Sequence, residues 1–166
     1  MGKFFLKKII LYPTFVLFLF LIDRASKLYI LSVLESTGNV DININSYINL
    51  ILVWNTGIGF GLLSFNQAEI YNLLTILISS INLIIVYLIF KLKDIRVYFF
   101  IIILGGSLGN LFDRIYYSAV LDFIDISYKN YHWFIFNVAD IFISLGVIFM
   151  ILSEFFVNKI EDHEKY

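Results

Sequence analysis

Four long apolar runs decide what this chain can fold into. They cover approximately residues 11–33, 68–90, 97–112 and 134–157. A helix of roughly 20 apolar residues is long enough to cross a lipid bilayer. Of the 166 residues, 60% are hydrophobic and only 15% are charged, which leaves too little polar surface to coat a water-soluble globule. The sequence therefore predicts an all-α membrane protein: one domain, residues 1–166, built as a bundle of four transmembrane helices.

The composition also narrows the classes of function. A net charge of -1, with no cluster of Lys and Arg, argues against a nucleic-acid partner. The absence of cysteine excludes disulfides, thiolate nucleophiles and cysteine-based metal sites. Two histidines and no HExxH motif leave few ligands for a metal hydrolase. We therefore expect neither a metal nor a cofactor.

The distribution of Lys and Arg predicts the orientation of the bundle. No Lys or Arg occurs between Lys27 and Lys91, whereas the N-terminal tail, the turn after the second run and the C-terminal tail are basic. Because cationic loops remain in the cytoplasm, both termini should lie inside and residues 35–67 and 113–133 outside. The first apolar run carries Asp23 and has no small-x-small cleavage site after it, so we do not expect a cleaved signal peptide.

The first outer segment has the pattern of a small β-sheet followed by a loop. Residues 40–45 alternate between apolar and polar, and a second β-type run follows at residues 47–53. Three glycines then interrupt the pattern within residues 55–61. We expect an outer sheet that forms a cradle on the membrane, with residues 55–61 as a lid over a site.

Ionisable and amide side chains gather at the outer ends of the predicted spans. Asp23 lies about 18 Å into the first span at about 1.5 Å per residue, Asp113 closes the third and Asp140 begins the fourth. Residues three or four apart share a helix face. The faces formed in this way contain Asp23, Ser26 and Lys27; Asn110, Asp113 and Arg114; and Asn137 and Asp140. An ionisable group inside a span costs on the order of 3 kcal/mol, so the cluster predicts a functional site.

Two interpretations of this cluster remain open on the residues alone. Asp23, Lys27, Asp113 and Arg114 can be ion pairs that hold the helices together, because opposite charges neutralise one another. Asp122 and Asp140 are harder to explain in this way, since the carboxylates outnumber the nearby cations. Two carboxylates in a partly desolvated site can share a proton while one activates water, as in aspartic proteases.

Three other functions are alternatives to an aspartic protease, and the sequence disfavours each of them. A proton conduit or transporter needs a relay across the membrane, but the inner halves of spans two to four carry no acid before Glu154. A purely structural subunit does not account for the surplus of carboxylates. A protease using Ser26 and Lys27 is disfavoured, because adjacent residues on a helix point about 100° apart.

Five motifs in a fixed order resemble those of the lipoprotein signal peptidases, the type II signal peptidases of bacteria. The resemblance extends over essentially the whole chain. The motifs lie at residues 23–27 (DRASK), 55–61 (NTGIGFG), 105–114 (GGSLGNLFDR), 120–125 (VLDFID) and 136–140 (FNVAD). Their order makes them specific, whereas the glycine spacing from Gly105 to Gly109 alone is explained equally well by close helix packing.

The resemblance implies a membrane aspartic endopeptidase that removes the signal peptide from diacylglyceryl-modified prolipoproteins, just before the lipidated cysteine. Asp122 and Asp140 would be the catalytic pair. The residues that would support the site and bind substrate are Asp23, Lys27, Asn55, Gly57, Asn110, Asp113, Arg114 and Asn137. The implied protein is a monomer of the bacterial cytoplasmic membrane with its active site toward the outer face. Its implied partners are prolipoprotein signal peptides, membrane lipids and inhibitors of the globomycin type.

The chain departs from the family pattern at three positions. Ile58 and Gly59 stand where small alanines are common, and Leu121 replaces a frequent valine before Asp122. These differences change the packing around a substrate, so they affect the expected specificity more than the expected activity.

Overall fold

A computed structural model of the chain describes residues 7–57, 67–129 and 131–163. Its elements, in order, are a π-helical turn (Lys7–Leu11), α1 (Tyr12–Thr37), β1 (Asp41–Asn43), β2 (Ile48–Asn55), α2 (Gln67–Lys91), α3 (Arg96–Tyr117), β3 (Val120–Tyr128), β4 (Tyr131–Phe136) and α4 (Val138–His163). Within these ranges, four helices are long and apolar enough to cross a membrane. The predicted fold class, a four-helix membrane bundle with a small β-sheet, is confirmed.

Helix α3 is the centre of the bundle, because α1, α2 and α4 all pack against it. One apolar core joins α1, α2 and α3 and includes Tyr12, Ile89 and Ile101. The outward faces of the helices carry large exposed apolar side chains, such as Leu83 and Phe155. Side chains of this kind around the whole bundle are typical of helices that face lipid.

The contact between α3 and α1 depends on the absence of a side chain at Gly109. A Cβ atom built there would touch a carboxylate oxygen of Asp23 and lie 2.9 Å from its Cγ. At Gly105, one turn earlier, a Cβ would lie 2.7 Å from the Cβ of Leu19. The two glycines therefore allow the helices to approach closely, which is the packing expected from their spacing.

We expect Gly109→Ala to lower the stability of the protein by about 1–3 kcal/mol, the usual cost of overpacking. The direction of this change in stability is informative, because a Gly-to-Ala substitution inside a helix ordinarily raises the stability of a protein by roughly 0.5–1 kcal/mol. Thermal unfolding of the purified protein in detergent measures the change. A midpoint equal to or above that of the wild type would contradict the close approach of Gly109 to Asp23.

The sheet has four antiparallel strands in the order β1-β2-β3-β4, twice the number predicted. The first two strands lie where the sequence predicts them, and β3 and β4 were missed. The fourth span was predicted from residue 134, but Tyr131–Phe136 forms β4 and pairs with β3, so α4 begins at Val138. Short apolar runs do not distinguish a strand from the start of a helix, which explains the error.

The helix boundaries differ from the prediction at three other places, and at the first of these α4 continues to His163 rather than ending at residue 157. Helix α3 continues to Tyr117 rather than ending at residue 112, so Asp113 lies inside its last turns and does not close it. Helix α1 continues to Thr37 rather than ending at residue 33. In α3 and α1 the additional turns carry polar residues, which a hydropathy count leaves outside the span.

The sheet is fixed to the C-terminal half of α1 by a second apolar cluster. Leu121 and Phe123 of β3 pack with Ile30 of α1 and with Val40. Asp122 stands between Leu121 and Phe123, and alternate side chains of a strand face opposite sides of a sheet. The packing therefore directs Asp122 away from this cluster, toward the start of α4. The predicted lid lies outside the described residues from residue 58 onward, as do Ile58 and Gly59.

Candidate active site

The start of α4 is a reciprocal capping arrangement between Asn137 and Asp140. The backbone N–H of Asp140 donates to Asn137 Oδ1 at 3.1 Å, and the backbone N–H of Asn137 donates to Asp140 Oδ2 at 3.1 Å. An Asn followed three residues later by a carboxylate is a sequence pattern for a helix N-terminus. The cap fixes the Asp140 carboxylate at the positive end of the helix dipole, which favours its negative charge.

Asp122 lies beside this cap and is bound by two amides. Asn137 Nδ2 donates to Asp122 Oδ1 at 2.6 Å, and Asn55 Nδ2 donates to Asp122 Oδ2 at 2.9 Å. Only 4% of Asp122 is exposed. Burial raises the pKa of the Asp122 carboxyl, and the charge of Asp140 raises it further, while the two amide hydrogen bonds and the charge of Lys27 lower it. Asn137 thus contacts both carboxylates of the candidate pair.

A buried ionic network forms the floor of the site. Lys27 Nζ lies 3.0 Å from Asp23 Oδ2 and 2.7 Å from Asp113 Oδ2. Lys27 also donates to Asn110 Oδ1 at 2.9 Å, and Asn110 Nδ2 donates to Asp140 Oδ1 at 2.8 Å. The side chain of Lys27 is 1% exposed, and those of Asp23 and Asp113 are fully buried. The network therefore reaches Asp140 through Asn110.

The two carboxylates of the network, Asp23 and Asp113, each accept a hydrogen bond from the backbone N–H that precedes a candidate catalytic residue. The N–H of Ala139, which precedes Asp140, donates to Asp23 Oδ1 at 3.0 Å. The N–H of Leu121, which precedes Asp122, donates to an oxygen of Asp113 at 3.3 Å. Asp23 and Asp113 are themselves joined through Lys27. The positions of both candidate residues are consequently fixed from the same network.

The mouth of the site contains Gly57 and Arg114. Gly57 has a φ of +75° in a turn closed by a hydrogen bond from its N–H to Asn55 Oδ1, at 2.7 Å. A Cβ on Gly57 would lie 3.1 Å from Arg114 Nη1. Tyr71 donates to the carbonyl oxygen of Arg114 at 3.0 Å, and its ring lies 5.7 Å from the guanidinium. Within the part of the chain that the structure describes, Nε and Nη1 of Arg114 are buried without a hydrogen-bond partner.

The structure brings the residues predicted for the site into one connected cluster. The ion pairs of the described residues, however, do not join Asp113 to Arg114, its oppositely charged neighbour in the sequence. Asp113 pairs with Lys27 and Arg24, and no ion pair joins it to Arg114 among the described residues. Adjacent residues on a helix point about 100° apart, so the two side chains diverge. Ser26 donates to a backbone oxygen of its own helix, at Asp23, and Lys27 is bound to carboxylates.

Two residues of the site were missed. Arg24 was visible in the first motif as a cation next to Asp23, but its second partner, Asp113, lies on another helix. Tyr71 gives no signal in the sequence, because one tyrosine in an apolar run is ordinary in a transmembrane helix near the interface.

Comparison with known proteins gives a consistent result. The family description "Signal peptidase (SPase) II" matches residues 15–156. The lipoprotein signal peptidase of Pelagibacter ubique (strain HTCC1062) is 48% identical over 165 residues, which cover 99% of each chain. That of Anaplasma phagocytophilum (strain HZ) is 40% identical over 135 residues, 80% of this chain and 84% of the relative. That of Francisella tularensis subsp. novicida (strain U112) is 39% identical over 122 residues, 71% and 76% respectively.

Two solved structures of a bacterial membrane enzyme resemble the fold, each at 25% sequence identity. One has a TM-score of 0.67 and covers 86% of this chain and 90% of the solved chain. The other has a TM-score of 0.64 and covers 87% of each. With the four apolar helices, these similarities define the class of the protein as a multi-pass bacterial membrane peptidase. Within that class, the chain belongs to the signal peptidase II family.

Proposed function

We propose that this protein is an aspartic endopeptidase that removes signal peptides from diacylglyceryl-modified prolipoproteins, cutting just before the lipidated cysteine. The observation that carries the proposal is the pair Asp122 and Asp140 beside a buried ionic network. A single residue, Asn137, joins the two carboxylates: its side-chain amide donates to Asp122 and its backbone N–H donates to Asp140. Membership of the signal peptidase II family supports the substrate class. Family resemblance alone supports the position of the cut.

The chemistry follows from having two carboxyl groups close together in a poorly hydrated site. Asp122 and Asp140 share one proton, since a negative charge on Asp140 opposes ionisation of Asp122. The ionised carboxylate takes a proton from water, and the water oxygen attacks the scissile carbonyl carbon. The protonated carboxyl donates to the carbonyl oxygen. When the C–N bond breaks, the leaving nitrogen receives the proton that was taken from water, and the proton on the former carbonyl oxygen returns to the other carboxylate, which restores the singly protonated pair. The proton belongs to the pair rather than to one residue.

The three amides around the pair orient its oxygens without adding charge. Asn110 binds one oxygen of Asp140, while Asn55 and Asn137 bind the two oxygens of Asp122. Hydrogen bonds to a carboxylate favour its ionised form and oppose the effect of burial. The amides therefore keep one member of the pair available as a base.

Arg114 is the candidate contact for the substrate backbone. Its buried Nε and Nη1 have no partner among the described residues, and an unsatisfied buried donor of this kind costs about 1–3 kcal/mol, more for charged groups. A backbone carbonyl of the bound signal peptide would satisfy these donors. Gly57 supports this role, because a Cβ at this position would lie 3.1 Å from Nη1 and crowd the guanidinium.

The proposal includes an orientation in the membrane. Both termini lie in the cytoplasm, and the site opens toward the outer face, where signal peptides and the lipidated cysteine are accessible. The charge distribution of the loops supports this arrangement. The protein acts as a monomeric single domain among membrane lipids. Lipopeptides of the globomycin type compete with the substrate for the same site.

Cleavage of a diacylated prolipoprotein by the purified protein in detergent tests the proposal. We expect the wild type to cut the lipidated substrate and to leave an unlipidated version intact. The product's new N-terminal residue, read by mass spectrometry, should be the lipidated cysteine. A folded wild type that cuts neither substrate would remove the proposed activity, and transport would become the next function to test.

Asn55→Ala should change the pH dependence of this cleavage. A general base must be ionised, so activity rises as the pH rises through the pKa of the pair. Removing a donor to the Asp122 carboxylate destabilises its ionised form and moves the acidic limb of kcat/KM to higher pH. A hydrogen bond to a charged group is worth about 1.5–3 kcal/mol, so kcat/KM should fall roughly 10- to 100-fold at acidic pH.

Asn43→Ala is the matched control for Asn55→Ala, because Asn43 is an exposed residue at the end of β1, away from the site. Its pH profile should match that of the wild type. An Asn55→Ala profile with an unchanged acidic limb would show that Asn55 does not stabilise the ionised pair.

A further inference from the structure

Arg24 is a second buried cation in the network beneath the site. Its Nη2 atom lies 2.7 Å from Asp113 Oδ1 and 3.2 Å from Asp23 Oδ2. The side chain is 10% exposed, and its guanidinium carbon lies 4.8 Å from the centre of the Phe112 ring. Arg24 therefore connects the same two carboxylates that Lys27 connects: both cations contact Oδ2 of Asp23, while each contacts a different oxygen of Asp113.

The charges of this network cancel only when Arg24 is counted. Asp23 and Asp113 carry two negative charges, and Arg24 and Lys27 carry two positive ones. An uncompensated charge in a desolvated site is strongly destabilising. Asp140 is connected to this network through Asn110, so any excess negative charge would lie next to the pair that must hold one more.

We propose that Arg24 is a positioning residue whose charge keeps the network neutral. Lys27 then stays hydrogen-bonded to Asn110, and Asn110 stays hydrogen-bonded to Asp140. The inference rests on the proposed function, because it assigns Asp140 to catalysis. Without Arg24, Lys27 alone faces both Asp23 and Asp113, and its ammonium is drawn toward them and away from Asn110. Asn110 then loses the contact that fixes its amide.

The geometry indicates that the charge of Arg24 matters more than its shape. A single nitrogen, Nη2, makes both contacts with the carboxylates. Nε is buried without a hydrogen-bond partner among the described residues. The planar pair of hydrogen bonds that distinguishes Arg from Lys is therefore not used here. A lysine side chain is one bond shorter, so its ammonium would bridge the same two carboxylates after a shift of about one bond length toward them.

The test is a double-mutant cycle between Arg24→Gln and Asp113→Asn. Arg24→Gln leaves the network with one excess negative charge, Asp113→Asn leaves it with one excess positive charge, and the double variant is neutral. We expect each single variant to lower kcat at least 10-fold with KM changed less than 3-fold. The double variant should lose at least 10-fold less than the product of the single losses. Arg24→Lys should stay within 3-fold of the wild type.

Two controls separate this role from a general effect on folding. Arg96→Gln makes the same chemical change at a surface arginine bound to Asp94 and Glu154, and its kcat should be unchanged. Activities are compared per amount of monodisperse protein, well below the unfolding midpoint. The same cycle is measured on Tm in detergent without substrate, where each single variant should lower Tm and the double variant should recover part of the loss.

Losses that multiply in the double variant would overturn the proposal, as would Arg24→Lys behaving like Arg24→Gln. A change in KM with kcat retained would also overturn it, because that result assigns Arg24 to substrate binding. If the folded wild type cuts no prolipoprotein, the proposed function fails by itself. The Tm cycle then decides whether Arg24 balances the charge of the network.

Discussion

Asp140→Asn and Asp122→Asn should each lower the turnover of a lipidated prolipoprotein by about 10²–10⁴-fold, the usual contribution of a general acid or base. The substitution preserves the shape of the side chain and removes its ability to take or share a proton. At position 140, an amide oxygen can still accept from Asn110. At position 122, an amide can still accept from one of its two donors, Asn55 and Asn137.

The measurement is kcat for purified variants in detergent, with Tm recorded in parallel to show that each variant is folded. Asp41→Asn is the matched control, because Asp41 is an exposed carboxylate of the same sheet, at the start of β1. Its turnover should equal that of the wild type. The double variant Asp122→Asn with Asp140→Asn should be no slower than the slower single variant, since the two groups act as a unit. Cleavage by either single variant at the wild-type rate would exclude the proposed pair.

Lys27→Met should have the largest effect on stability, a loss of about 3–5 kcal/mol, because it removes one partner of a buried ion-pair network. Methionine approximates the length of the lysine stem, so the change removes the charge while filling most of the space. Among the described residues, Arg24 would then be the one cation left to balance the charges of Asp23 and Asp113. Asn110 Oδ1 would lose the hydrogen bond that Lys27 donates. Both carboxylates are fully buried, so water cannot replace the ammonium at low cost.

The free energy of unfolding of Lys27→Met can be measured by denaturant titration in mixed micelles. The control is Lys91→Met at the end of α2, where the ammonium is exposed and lies 5.5 Å from the Tyr87 ring. We expect this control to stay within about 0.5 kcal/mol of the wild type, as surface substitutions generally do. A Lys27→Met protein as stable as the control would show that the network is not held together by its charges.

The sequence predicts the helices better than it predicts the sheet, for a physical reason. A span must be apolar over about 20 residues, and that length gives a strong signal. Strands of the length of Tyr131–Phe136 do not, and this one is apolar enough to merge with the helix that follows it. The capping pair Asn137 and Asp140 marks the start of α4, whereas the spacing of these two residues predicts only that they share a helix face.

The sequence predicts which residues form the site but not which cation pairs with which carboxylate. The count of carboxylates and their spacing on helix faces identified Asp23, Lys27 and Asp113 as one group. Which cation binds Asp113 depends on how α1 packs against α3, and Gly109 permits that contact. The sequence alone suggests Arg114, its neighbour on the chain, whereas the structure selects Arg24 from another helix. Adjacent side chains on a helix leave the axis about 100° apart, yet Arg24 still reaches its neighbour Asp23 at 3.2 Å, so sequence adjacency does not decide the pairing.

The main-chain hydrogen bonds accepted by Asp23 and Asp113 have a consequence for the spacing of the two proposed catalytic carboxylates. Asp122 is carried by a strand and Asp140 by a helix, and each follows a residue whose N–H is bound to this network. Lys27 of α1 is bound to both Asp23 and Asp113, so the position of α1 affects the distance between β3 and α4. A small shift of α1 would change that distance without touching either carboxylate. The separation on which the proposed chemistry depends is thus set by two helices, α1 with Asp23 and α3 with Asp113, that carry neither of the reacting groups.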